Sequence, residues 1–146
     1  MTTPFSSLSR QDAMKLLLEG ITADLADYQQ LLGLIEQQFE AAIRHQSARL
    51  GEIADAIGAA VPLLEARRAQ RLELATRLTG PNPAMTQVFA LLRPEPRAKL
   101  EADWRQLEVL VRTAKELGKR NAELLAEQFT IMQRVLHGDD QTYEPA

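Results

Sequence analysis

Histidines at positions 45 and 137 and arginines at 67, 68, 71 and 77 are the side chains whose types and spacing could do chemistry in this chain. One chemistry open to histidine in a helical protein is metal binding. A helical di-metal centre needs a glutamate from each of two helices and a Glu-x-x-His pair from each of two others. Three residues before His45 stands Ala42, and three before His137 stands Arg134, so neither histidine has that carboxylate. His45 reads instead as part of a bend, and His137 as a cation near a helix C-terminus, where the backbone dipole favours positive charge. Cysteine is absent from the sequence, which removes thiolate ligands, disulfides and thiol nucleophiles together. Neither a glycine-rich phosphate loop nor a nucleophile elbow occurs. No catalytic residue, metal or cofactor is expected, and the chain reads as a binding protein and not an enzyme.

The four arginines crowd one segment beside Glu65 and Glu73 at helical spacings. That pattern describes a solvated helix face, with an anionic-ligand site as the alternative. A formal net charge of -3 argues against nucleic acid as the partner, because nucleic-acid modules present a net basic face. Three single residues stand out for binding. Trp104, the one tryptophan, reads as core or groove filling. Asn121 falls on an apolar helix seam, either as a polar register device between helices or as a hydrogen-bonding contact to a partner. Tyr143 lies in a polar tail with no core to join, where a ring plus a hydroxyl suits a short docking motif.

The elements that hold these residues are helices. Ser9 can cap a first helix, with Asp12 three residues on. From there Met14, Leu18, Ile21, Leu25, Tyr28, Leu32, Ile35, Phe39 and Ala42 step by four and three throughout, a heptad seam. Near 44–47 the phase slips by one residue, because the seam goes on as Ile43, Leu50, Ile53, Ile57, Ala60 and Leu64 and not at the positions the first seam predicts, which calls for a break. Ser47 is placed to cap a second helix reaching about Arg77, with a kink expected at Pro62. Thr79 to Pro83 reads Thr-Gly-Pro-Asn-Pro and predicts a loop. A short helix over 84–92, a second breaker at 93–96 and a last long helix from Pro96 or Arg97 to Gly138 follow.

That last helix carries two apolar seams. One runs Leu117, Asn121, Leu124, Gln128, Ile131, Val135; the other, one residue further round, runs Leu125, Phe129, Met132, Leu136. A bundle needs only one such face, so the spare seam implies deep burial or a surface held for a partner. No segment shows sustained alternation. The fold class expected is all-α, an elongated antiparallel bundle of three long helices plus one short helix, with a single domain over 1–137 and a flexible tail over 138–146. At 146 residues and 45% hydrophobic composition the chain is long enough for one real core. The first residues lack a secretory pattern and no stretch suits a bilayer, so a soluble protein in a cytosolic setting is expected.

With these residues in place the whole chain resembles the FlgN-type flagellar type III export chaperones. The likeness rests on Leu-x-x-Ile-Glu-x-x-x-Glu from Leu32 to Glu40, on Ala42, Ile43, Leu50 and Ile53 around a polar bend, and on the glycine/proline break. It continues in Arg-Asn-Ala-Glu-Leu-Leu over 120–125 and in Thr142-Tyr143. The resemblance implies a cytoplasmic chaperone that binds the C-terminal helices of the hook-associated proteins FlgK and FlgL. It would prevent their premature assembly and deliver them to the export gate protein FlhA. It also implies that Leu125, Phe129, Met132 and Leu136, with Asn121 and Leu124 nearby, form the client surface, that the other seam through Leu117, Leu124, Ile131 and Val135 belongs to the bundle, and that Tyr143 docks on the gate. The competing reading is a self-associating helical bundle, a homo-dimer whose spare seam pairs with a second copy of the chain.

Overall fold

A computed structural model describes residue 5 and residues 7–142, with side chains as far as His137. Four helices account for it: α1 (Arg10–Ile43), α2 (Ser47–Thr79), α3 (Met85–Phe89) and α4 (Pro94–Thr142). The all-α expectation is met, and no strand occurs among the described residues. The Ser9 hydroxyl accepts the Asp12 backbone N–H at 3.0 Å and so starts α1 as its sequence predicts. Removing that acceptor leaves an orphan donor at the helix start. Ser9→Ala is expected to lower the unfolding free energy by about 1 kcal/mol in urea titrations.

The bend between α1 and α2 falls where the seam slips. The Gln46 N–H bonds to the Ala41 carbonyl at 2.9 Å and the His45 N–H to the Ala42 carbonyl at 3.2 Å, with His45 at φ 53 in the left-handed position this helix ending requires. The turn uses one residue fewer than expected. Gln46 therefore occupies the cap position without a side-chain bond, and Ser47 is already helical instead of capping. α2 runs through Pro62 without interruption to Thr79, where Gly80 at φ 97 ends it. The short helix stops at Phe89, earlier than expected, because Leu91 and Leu92 bond three residues back, to Val88 and Phe89. The Arg97 guanidinium then takes the Phe89 and Leu92 carbonyls at 3.0 and 2.8 Å, tying this turn to the next helix. Pro94 and Pro96 lie inside the first turn of α4, where a missing N–H costs nothing. At the far end α4 continues through Gly138 to Thr142. A single glycine costs a helix only about 1 kcal/mol, too little to stop one this long.

The long helices run up, down and up. α1 and α2 are antiparallel, with Arg10 donating to the Leu78 carbonyl and Arg67 to Asp24. α4 is parallel to α1, since Asn121 reaches the Ile35 carbonyl and Gln128 the Ala42 carbonyl, both pairs 86 residues apart. α1 is the central helix. α2 and α4 each pack along it and approach one another only through side chains. A helix covered on two sides needs a wider apolar face than one seam supplies. The buried line is accordingly Ala13, Leu17, Ile21, Asp24, Leu31, Ile35 and Ala42, one residue off the expected seam over much of its length, while Met14, Leu18, Leu25, Leu32 and Phe39 flank it half-buried. The core has two parts, one around Leu17, Leu74, Val88, Leu100 and Leu107 and a smaller one of Leu31, Ile35, Leu64 and Ala114.

Candidate functional site

At about 1.5 Å per residue α1 is about 50 Å long and α4 about 74 Å. α4 therefore outruns the rest of the bundle. Its last ties to α1 are polar and specific. Asn121, 2% exposed, donates to the Ile35 carbonyl at 2.7 Å and to Gln38 Oε1 at 2.9 Å, and its own oxygen accepts from Arg120. Arg120 in turn stacks 3.7 Å over the Phe39 ring and pairs with Glu36 at 3.2 Å. One turn beyond Leu124, Gln128 donates to the Ala42 carbonyl at 2.9 Å. Past Gln128 there is no more α1 to touch.

From that point every large apolar side chain of α4 stands in solvent: Phe129 64% exposed, Ile131 51%, Met132 56%, Val135 61% and Leu136 59%. At about 100° per residue they cover an arc of about 160° on the free helix. Glu127, Thr130 and Arg134 lie on the opposite side. Leu124 and Leu125 are half-buried at the root of this overhang.

The expected client residues thus divide. Phe129, Met132 and Leu136 lie together on the overhang and Leu124 and Leu125 at its base, whereas Asn121 is buried against α1 with its amide bonded to Ile35 and Gln38. Ile131 and Val135, which the family resemblance assigned to the bundle, are exposed with the others, a correction with a simple cause. Periodicity separates the faces of a helix, but the neighbour here is lost along the axis. Helix lengths carried the signal, because an α4 parallel to α1 at an offset of 86 residues must run out of partner near residue 129. Tyr143 lies outside the described residues.

The arginine cluster also differs from expectation. Asp24, 1% exposed, accepts from Arg67 at 2.8 Å and from Arg71, and Arg67 reaches Asp27 at 2.7 Å. The hydrogen bonds that Arg67 donates to Asp24 and Asp27 raise its pKa further above the ordinary value. Burial, with the Asp24 charge beside it, raises that of the Tyr28 phenol. Arg71 also sits 5.3 Å over the half-buried ring of Trp104. Arg67 and Arg71 are therefore interhelix ties and not a solvated face. Arg77 donates to the Leu8 carbonyl at 2.9 Å, and Arg68 is exposed.

Among the described residues no three of the side chains that bind metals gather into one group, and both histidines are exposed. What the overhang offers is exposed apolar area on a helix, at roughly 25 cal/mol per Å² if buried.

A family model described as FlgN protein matches residues 14–138, from the second turn of α1 to within about a turn of the end of α4. No curated protein and no solved structure matches the chain. The match takes in most of the sequence and all four helices, and the chain belongs to the FlgN family of flagellar export chaperones.

Proposed function

We propose that this chaperone binds the C-terminal helices of the hook-associated proteins FlgK and FlgL on the α4 overhang. It keeps them from assembling early in the cytoplasm and brings them to the export gate protein FlhA, with Tyr143 as the docking residue. The observation that carries the client site is the row of five large apolar side chains, each more than half exposed, on a helix that has left its bundle. An amphipathic client helix can cover such a face by ridge-into-groove packing and be covered in return. Neither nucleotide nor cofactor enters this account. No described helix is long and apolar enough to cross a membrane.

The test is co-expression of the full chain with C-terminal fragments of FlgK and FlgL, followed by pull-down. Retention of a fragment by the full chain and its loss on truncation after Gln128 is the expected result; failure of the full chain to retain either fragment would overturn the proposal. One observation favours a second reading. The 4-3-4 spacing of Leu125, Phe129, Met132 and Leu136 is symmetric, so an antiparallel copy would set Leu125 against Leu136 and Phe129 against Met132. A tight dimer in sedimentation that a client fragment does not dissociate would support it.

A further inference from the structure

Away from the overhang, the lower half of the bundle has an open trough. α1 forms its floor at Asp24 and Tyr28, α2 one wall at Leu64 and Arg68, and α4 the other at Trp104 and Val111. The section above Trp104 holds about 420 Å³. It continues below Trp104 into a space of about 540 Å³ between α2 and the start of α3, where Leu72 is 58% exposed. The trough exists because α2 and α4 both pack on α1 without closing on each other. Three long helices in that arrangement leave vacant the fourth position of a four-helix bundle.

The rim of the upper section is basic in a chain whose net charge is -3. Arg68 on α2 faces Arg112 and Lys115 on α4, and Glu108 is the one carboxylate there that is not already held by Arg67 and Arg71. Among the described residues none of these three cations has a carboxylate partner; Arg112 reaches only a backbone carbonyl. Apolar lining from Leu64, Trp104, Leu107 and Val111 beneath a cationic rim, with Asp24 already held by Arg67 and Arg71, is complementary to a helix with an apolar stripe flanked by carboxylates.

We infer that the α2–α4 trough is a second docking surface, which takes an acidic amphipathic helix of a partner protein as a fourth bundle helix lying over Trp104 between Arg68 and Lys115. The surface lies about 38 Å along α4 from Phe129 and does not rest on the client reading of the overhang.

Trp104 is the only tryptophan, so the trough reports on itself. Two synthetic 18-residue helical peptides with the same leucine stripe, one flanked by glutamates and one by lysines and both free of aromatic residues, are titrated into the full chain while Trp104 emission is followed. The glutamate peptide is expected to shift the emission saturably. Arg68→Glu combined with Lys115→Glu, whose side chains make no hydrogen bond or ion pair among the described residues, should weaken it at least tenfold with helix content unchanged. Phe129→Asp should leave it unaltered. Equal binding of the lysine peptide, an unchanged affinity in the charge-reversed variant, or no saturable shift would each overturn the inference. So would an emission that changes with protein concentration alone, which would make a second copy the occupant.

Discussion

Asp24→Ala is expected to destabilise the folded chain by about 3 kcal/mol, more than any exposed substitution, although aspartate-to-alanine on a helix ordinarily favours it. The carboxylate is 1% exposed and is the shared acceptor of two guanidinium groups, while the Arg67 and Arg71 side chains are only 23% and 16% exposed. Removing it leaves two like charges side by side at the junction of α1, α2 and α4. Breaking a buried pair from one side costs about 3–5 kcal/mol. The lower end applies because Arg67 keeps Asp27 at 2.7 Å and Arg71 keeps the Trp104 face. In thermal unfolding the loss corresponds to roughly 6–12 °C.

The control removes both sides of the interaction. Asp24→Leu with Arg71→Met replaces one buried ion pair by apolar groups of similar size, a change that is often neutral or stabilising, and should recover most of the stability lost by Asp24→Ala. If the double variant is as unstable as the single, the pair contributes through something other than its charges. The position of Asp24 between the two core clusters makes register the quantity at stake. It fixes how far α2 slides along α1, as Asn121 and Gln128 fix α4.

Punctuation in the chain was readable and long-range pairing was not. Ser9, the slip at 44–47 and Gly80 act on their own backbone within a few residues, so their effect is written locally. Asp24 acts through arginines 43 and 47 residues away. In the sequence it is one more acid on a long helix, and Arg67 and Arg71 appear paired with the glutamates next to them. The same limit applies to α4. Its two seams were visible, yet which of them meets solvent depends on where α1 ends, a fact that belongs to another helix. Even the misplaced seam of α1 has this origin, since a helix flanked on two sides spreads its burial over both of its apolar rows.

Phe129→Asp is expected to reduce affinity for a FlgK or FlgL C-terminal fragment at least 100-fold, about 2.7 kcal/mol, while far-ultraviolet circular dichroism and the unfolding midpoint stay within error of the parent chain. The ring is 64% exposed, so the free protein loses almost no packing. In a complex the same position would bury a carboxylate against apolar groups and forfeit an aromatic anchor, the kind of site where binding energy concentrates. Ile131→Asp makes the experiment sharper. Had the seam of Leu117, Leu124, Ile131 and Val135 belonged to the bundle throughout, this change would unfold α4 from α1. With Ile131 51% exposed and Gln128 the last tie to α1, it should leave the fold intact and weaken client binding as Phe129→Asp does. A client helix seated on the whole 160° arc would feel both substitutions, one seated on a single seam only one of them. Leu107→Asp, at a position 2% exposed, supplies the contrast and should unfold the chain outright.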